Sequence, residues 1–157
     1  MKTVQNVFIQ GLPFFFSLLL LYLLLISDAS ALQGGEVVID GRVTITVEVV
    51  KTAEEQARGL GGRSSLLKGR GMLFPFDAAK PRVFWMRGML IPIDILWIRE
   101  GKMVAIDANV APPRLHETPV IVSQVADMVL EVPAGFAQEM GVTVGQMVRI
   151  RYEGSSR

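Results

Sequence analysis

The chain has 157 residues, and its 16 lysines and arginines against 15 acidic residues give a formal net charge of +1. That balance supplies no electrostatic attraction to nucleic acid, so we expect no nucleic-acid partner. The sequence contains no cysteine, which excludes disulfides, thiolate nucleophiles and zinc–thiolate sites. Side-chain packing must therefore stabilise the fold.

The first 31 residues have the pattern of an export signal. No side chain between Lys2 and Asp28 is charged, and residues 7–26 are almost wholly apolar. A cationic start, an apolar middle and a small-x-small site at 29–31 are typical of a secretory signal peptide. We therefore expect cleavage after Ala31.

The alternative is an uncleaved membrane anchor formed by residues 7–26. About 20 apolar residues in a helix, rising about 1.5 Å each, are just long enough to cross a hydrocarbon core of about 30 Å. Gly11 and Pro13 interrupt such a helix early, which favours cleavage. Either outcome exports the rest of the chain to the periplasm or the extracellular space, with membrane contact through the N-terminal segment.

The remaining chain predicts one domain at residues 32–153, followed by a tail at 154–157 that we expect to be disordered. Its clearest strand is 43–49, where valine and isoleucine alternate with polar residues. That period of two is typical of a strand with one buried face.

A short helix is predicted directly after this strand. Thr52 and Glu55 have the spacing of a capping box, and the helix should end near Arg58, before Gly59. The glycine-rich, basic segment 59–71 then predicts a loop. It resembles an anion-binding loop in composition only, because no phosphate-binding register is present, and a solvated connection is the alternative.

The middle of the chain consists of short apolar runs separated by prolines or by Glu100-Gly101, a spacing that predicts strands. These runs lie at 72–76, 83–86, 90–98 and 103–110. Glu100-Gly101 predicts a tight hairpin between the last two runs.

The C-terminal part predicts two more strands at 120–122 and 128–132, then a helix over 133–140 begun by its proline and ended by a glycine. A last strand is predicted at 146–152. Most elements are thus strands joined by short connections. The predicted fold is mainly β: a single sandwich or barrel-like domain with two short helices, preceded by a signal or anchor segment.

Five segments carry a resemblance to a known family: EEQARGL at 54–60, GMLF at 71–74, FWMR at 84–87, LIPIDI at 90–95 and VLEVPAGF at 129–136. Together, and in this order, they resemble the domain of unknown function family 192. The resemblance implies a compact β-rich domain, often behind a signal or anchor segment, and implies no particular activity. The chain departs from the family pattern at Gly88 and Met89 and in the loop 111–119.

Asp94 is the most informative polar residue, because both faces of its predicted strand are apolar. Burial of an unpaired carboxylate costs several kcal/mol. We therefore predict a partner among Arg58, Arg63 and Arg87, with a buried ion pair or backbone amides completing it. Asp94 is interpreted either as part of a structural pair that fixes how the strands meet or as an acid or base tuned by burial.

Trp85 and Arg87 are candidate ligand-binding residues. They are two positions apart, so in an extended segment they share a face on which a sugar, a peptide or an anion could bind. Core packing is the alternative for the aromatic side chains. His116 is the only histidine, and no metal-binding or catalytic-triad motif accompanies it, so we predict neither a metal site nor a cofactor.

The leading hypothesis is a non-catalytic extracytoplasmic module that binds a small ligand or an envelope protein. Its candidate site residues are Arg58, Trp85, Arg87 and Asp94. The alternative is a hydrolase of envelope material that uses Asp94 as an acid or base. A purely structural domain is a third interpretation.

Overall fold

A computed structural model describes residues 33–114, 117 and 120–155. The predicted signal or anchor segment, His116 and the end of the predicted tail lie outside these residues. The described residues belong to one compact unit, Leu32–Arg157. Within the described part of the chain, neither helix is long and apolar enough to cross a membrane.

The described residues form seven strands and two short helices. In chain order they are β1 (Gln33–Ile39), β2 (Val43–Val49), α1 (Ala53–Arg58), β3 (Arg70–Trp85), β4 (Ile93–Arg99), β5 (Lys102–Val110), β6 (Ile121–Pro133), α2 (Phe136–Met140) and β7 (Val148–Tyr152). All seven strands form one sheet in the order β5-β4-β6-β3-β2-β1-β7. The mainly β class is therefore confirmed.

The sheet curls until its two edge strands approach each other. Lys102, at the start of β5, forms an isolated antiparallel bridge with Met147, just before β7. The backbone N–H of Met103 donates to the carbonyl of Gln146 at 2.9 Å. Contact between the edges gives the sheet the form of a half-barrel and covers part of its exposed hydrogen-bonding groups.

Local sequence signals specify β2, α1 and the β4–β5 hairpin. Strand β2 alternates buried and exposed residues as predicted, and α1 ends at Arg58 with both hydrogen bonds of the capping box present. Glu100 and Gly101 both have positive φ, 53° and 70°. That backbone is typical of a type I′ turn, which matches the twist of the two strands it joins.

The structure differs from the predicted elements most in β3 and β6. Each of these strands covers two predicted short strands, because the prolines in β3 do not end its pairing with β6. The ladder instead contains an irregularity, with a register shift between Pro75 and Lys80. Long-range pairing therefore continues through a segment whose local sequence predicts a break.

Two smaller predictions also differ from the structure. Strand β1 is absent from the predicted elements, since Gly34 and Gly35 interrupt any alternation. The second helix begins at Phe136 rather than at Pro133. Pro133 is the last residue of β6 and pairs with Ile93 of β4, so it belongs to the sheet.

Two hydrophobic clusters pack on opposite faces of the central strands. On β4, Leu96 and Ile98 belong to a cluster that also includes residues of β1, β2 and β7. Ile95 and Trp97 belong to a second cluster with residues of β3, β6 and the segments flanking β3. Successive strand residues point to opposite faces. Both faces of β4 are therefore buried, and its sequence is mainly apolar. The candidate site lies beside the second cluster.

Candidate ligand-binding cleft

A cleft of about 380 Å³ lies between the C-terminal end of α1, the second half of β3 and the side chain of Glu131 on β6. Its lining residues are Gln56, Ala57, Arg58, Gly59, Leu60, Phe74, Phe76, Pro81, Arg82, Val83, Phe84, Trp85, Arg87, Met89 and Glu131. The cleft combines aromatic walls with three arginines and one carboxyl group. Four of the five segments that carry the family resemblance contribute residues to it.

Helix α1 is held by a capping box at its N-terminus and by the side chain of Gln56 in its middle. At the N-terminus, Oγ1 of Thr52 accepts from the N–H of Glu55 at 3.2 Å, and the Glu55 carboxylate accepts from the N–H of Thr52 at 2.9 Å. These hydrogen bonds lower the pKa of Glu55. Nε2 of Gln56 donates to the carbonyls of Val50 and Pro75 at 3.2 and 3.3 Å. The helix therefore holds its last residue, Arg58, at the edge of the cleft.

The aromatic walls are ordered by edge-to-face contacts. The ring of Phe84 is 4.9 Å from Phe74 and 5.4 Å from Trp97, both nearly perpendicular to it. Such pairs contribute roughly 1 kcal/mol beyond the area they bury. Trp85 is different, because 53% of its surface is exposed and the guanidinium of Arg87 lies 5.5 Å from its ring.

Arg82 contributes a buried hydrogen-bond donor with no acceptor. Its guanidinium carbon lies 3.9 Å from the centre of the Phe76 ring, and its NH2 group donates to the carbonyl of Ala78 at 2.9 Å. Its Nε, although buried, has no hydrogen-bond partner among the described residues. A buried donor left unpaired costs about 1–3 kcal/mol, so this atom is a candidate ligand contact.

Glu131 is the second such group. Its side chain is buried, the residue being 6% exposed, and its Oε2 has no hydrogen-bond partner among the described residues. Burial raises the pKa of Glu131 to about 8, although the charge of Arg63 acts in the opposite direction. Glu131 is therefore mostly protonated at neutral pH.

Arg63 does not neutralise Glu131, because it is engaged elsewhere. Its two terminal nitrogens donate to the two carboxylate oxygens of Glu48, each at 2.5 Å. This bidentate contact lowers the pKa of Glu48 and raises the pKa of Arg63. Arg63 is therefore paired with Glu48, whose pKa is lowered, and not with Glu131.

Three of the four predicted site residues lie in the cleft. Arg58, Trp85 and Arg87 all line it. Arg58 also forms an exposed ion pair with Glu54 at 3.2 Å. The fourth residue, Asp94, is not among the residues that line the cleft.

Asp94 is fully buried and holds the start of α2. Its carboxylate accepts from the backbone N–H groups of Asn109 at 2.8 Å, Gly135 at 3.0 Å and Ala137 at 2.8 Å. The prediction of an arginine partner is wrong, and the prediction of backbone amides is confirmed. Because α2 begins beside Asp94, its free N–H groups satisfy the carboxylate without a cation.

Arg82 and Glu131 are functional candidates that the sequence analysis misses. A signal for Glu131 is present, since it interrupts the apolar run 128–132 as Asp94 interrupts its own strand. No comparable signal exists for Arg82, which lies in a polar stretch of β3. Only the tertiary structure shows that its Nε becomes buried.

No metal centre is formed by the described residues, in which no three histidines or acidic side chains converge.

The fold and the cleft define the class of protein: a mainly β domain with one curled sheet and an aromatic, arginine-lined cleft on its outer face. The chain belongs to the DUF192 family, described as Uncharacterized ACR, COG1430, which it matches over residues 36–150. No curated protein matches the sequence.

Two solved structures are similar to this chain. One is a protein of unknown function from Novosphingobium aromaticivorans DSM 12444, with 32% identity and a TM-score of 0.68, covering 78% of this chain and 89% of that one. The other is described as a "putative transcription regulator" from Sinorhizobium meliloti 1021, with 27% identity and a TM-score of 0.68, covering 81% of this chain and 100% of that one. Both support the β-rich fold.

Proposed function

We propose that this protein is an exported, non-catalytic binding module that holds a small, partly apolar ligand in the cleft between α1 and β3. One observation carries the proposal: Arg82 and Glu131 line the same cleft, and each has a buried side-chain atom, Nε and Oε2 respectively, with no partner among the described residues. Buried polar groups are hydrogen-bonded in most proteins. A ligand that pairs with both atoms would remove the cost of leaving them unsatisfied.

The walls of the cleft support the same function. Ligand sites are typically concave and apolar, with a few converging polar groups. Phe74, Phe76, Phe84 and Trp85 supply the apolar surface here, and a volume of about 380 Å³ lies within the usual range of such sites.

The hydrolase alternative finds less support in this geometry. Asp94, its proposed acid or base, is engaged by three backbone amides. Glu131 has the raised pKa of a general acid, but the described lining contains no second carboxylate, hydroxyl or imidazole to act as a base or nucleophile. A binding role therefore uses more of the observed groups than hydrolysis does.

Export is supported by the apolar N-terminal segment and its small-x-small site. An envelope protein is the alternative partner for the same cleft. A role in transcription, which the description of the Sinorhizobium relative names, has less support here, because a net charge of +1 provides little attraction to nucleic acid.

The test is mass spectrometry of the protein purified from its own host. Under native conditions we expect a fraction of the protein to carry a retained small molecule, and under denaturing conditions an N-terminus after Ala31 or an intact leader in a membrane fraction. Arg82→Met, combined with Trp85→Ala, should release the molecule, because it removes one polar contact and one wall.

Arg151→Met is the matched control, since Arg151 is an exposed arginine of β7 outside the cleft. The binding proposal fails if wild-type protein carries no small molecule and neither compound libraries nor envelope extracts change its tryptophan fluorescence. The export proposal fails separately if the full-length chain is recovered soluble from the cytosol.

A further inference from the structure

We propose that the ligand of this cleft is a carboxylate carried on a flat apolar body, such as an aryl-alkyl or short acyl acid. This inference rests on the proposed binding function and specifies the chemistry of that same site. Three features of the cleft favour such a ligand: the charge of the lining, the unpaired hydrogen-bonding groups and the aromatic walls.

The charges that line the cleft favour an anion. Arg58, Arg82 and Arg87 contribute three guanidinium groups, and Glu131 is the one acidic side chain among the described lining residues. Arg58 shares its charge with Glu54, through an ion pair exposed to solvent. Arg82 and Arg87 lie over aromatic rings instead, at 3.9 and 5.5 Å, so their charges are available to a ligand.

The hydrogen-bonding groups favour a carboxylate in particular. Nε–H of Arg82 is a donor, and a protonated Glu131 also donates through its O–H. Both therefore need an acceptor, and a carboxylate offers two oxygens with several lone pairs. A primary amide offers one acceptor oxygen instead of two and no charge to pair with the arginines, and an ammonium group would offer no acceptor.

The apolar walls define the rest of the molecule. A cleft of about 380 Å³ corresponds to roughly a dozen water volumes of about 30 Å³ each, which is enough for one aromatic ring and a short chain. Trp85 is half-exposed, and its ring can stack on a flat ligand face.

The pH dependence of binding follows from the groups around Glu131. Arg63, which is paired with Glu48, is the charged side chain that acts on Glu131, and the three cleft arginines line the same cleft. The pKa of Glu131 is raised to about 8, so Glu131 ionises within this range. An ionised Glu131 would repel a bound carboxylate and could no longer donate to it.

Three probes share a phenyl ring on a short alkyl chain and differ in the charge of the end group: 4-phenylbutyrate, its neutral amide, and 4-phenylbutylamine. Titrations of the protein purified from its host, followed by tryptophan fluorescence and by calorimetry, should show tightest binding by the carboxylate at pH 6.5. At pH 9 its affinity should be about tenfold weaker, because about nine in ten Glu131 side chains are then ionised. At pH 6.5 the amide should bind about tenfold more weakly than the carboxylate. Its affinity should change little between pH 6.5 and 9.

Two variants identify the groups responsible. Glu131→Gln keeps a donor but cannot ionise, so carboxylate binding should persist and lose its pH dependence. Arg82→Met should weaken carboxylate binding about tenfold, whereas Arg151→Met should leave it unchanged. Far-UV circular dichroism of each variant distinguishes lost binding from lost folding.

The inference is overturned if the amide or the amine binds more tightly than the carboxylate, or if carboxylate affinity does not fall between pH 6.5 and 9 in the wild-type protein. It is also overturned if none of the three probes binds to a protein that retains some other molecule from its host, in which case the proposed binding function stands. If the protein retains no molecule and binds no probe, both proposals are wrong.

Discussion

Two buried carboxyl groups of this domain have opposite environments. Asp94 accepts three backbone N–H groups, whereas Oε2 of Glu131 has no hydrogen-bond partner among the described residues. The first arrangement satisfies both oxygens of the carboxyl group beside the start of a helix. The second favours the protonated acid, which is why burial raises the pKa of Glu131.

Replacing Asp94 by asparagine should destabilise the domain by about 3 kcal/mol. Asparagine keeps one acceptor oxygen but turns an N–H₂ group toward a backbone donor, which leaves that donor buried and unsatisfied. Urea denaturation measures the change in unfolding free energy. Asp77→Asn is the control, because Asp77 is exposed on β3 and its replacement should change stability by less than about 0.5 kcal/mol. An equal effect of the two substitutions would show that the three amides contribute nothing.

Glu131 should make the folded state less stable as the pH rises. Below its ordinary pKa of 4.5 the side chain is protonated in both states, and between pH 4.5 and about 8 the folded state retains a proton that the unfolded state loses. The stability that Glu131 contributes at low pH is therefore lost progressively through this window, and above about pH 8 the folded chain carries a buried charge.

Glu131→Gln should remove this dependence. Between pH 5 and 9 the unfolding free energy of the variant should gain about 2 kcal/mol or more relative to the wild type. Urea denaturation at a series of pH values measures the difference, with Glu54→Gln on the exposed face of α1 as the control. Parallel curves for wild type and Glu131→Gln would mean that Glu131 does not titrate in this range.

At the scale of elements, α1 positions one side of the cleft. It has only six residues and buries none of them completely, so its helical state depends on its capping box and on the hydrogen bonds of Gln56. Isolated helices of this length are unstable in water. The capping box therefore stabilises α1 and also positions Arg58 at the cleft.

Thr52→Ala should lower the unfolding free energy by about 1 kcal/mol and weaken binding in the cleft, because the turn that carries Arg58 loses its N-terminal hydrogen bond. Urea denaturation and ligand titration measure the two effects. Thr52→Ser, which keeps the hydroxyl, should restore both. Full affinity in the alanine variant would show that α1 does not need its cap to form the cleft.

At the scale of the whole molecule, the sheet separates structural and candidate functional residues. One cluster fills the concave side of the half-barrel, including Leu130 and Val132 of β6. Glu131 lies between these two residues and therefore points to the opposite face, beside the second cluster. Helix α1 and the segments that flank β3 cover only part of that face of the sheet. The cleft lies in the part that they leave open.

Local chemistry made several features predictable from sequence. Strand β2, the capping box of α1 and the turn at Glu100-Gly101 depend on residues close in the chain, and they form as predicted. Arg58, Trp85 and Arg87 were selected as ligand contacts from residue type and spacing, and the fold brings them to one cleft. Whether they bind a ligand stays a prediction.

The mainly β class, the short turns and caps, and the absence of cysteine chemistry follow from the amino-acid sequence alone, because each depends on composition or on neighbours within a few residues. Long-range contacts determine that β3 continues through its prolines and that Asp94 is satisfied by backbone amides of β5 and α2. They also bring Arg82 and Glu131 to one cleft, where Nε of Arg82 and Oε2 of Glu131 have no partner among the described residues. The pairing of β3 with β6 and the packing of α2 against β4 join residues far apart in the chain. Burial of a polar group depends on what those distant segments bring to it, and no local pattern encodes that.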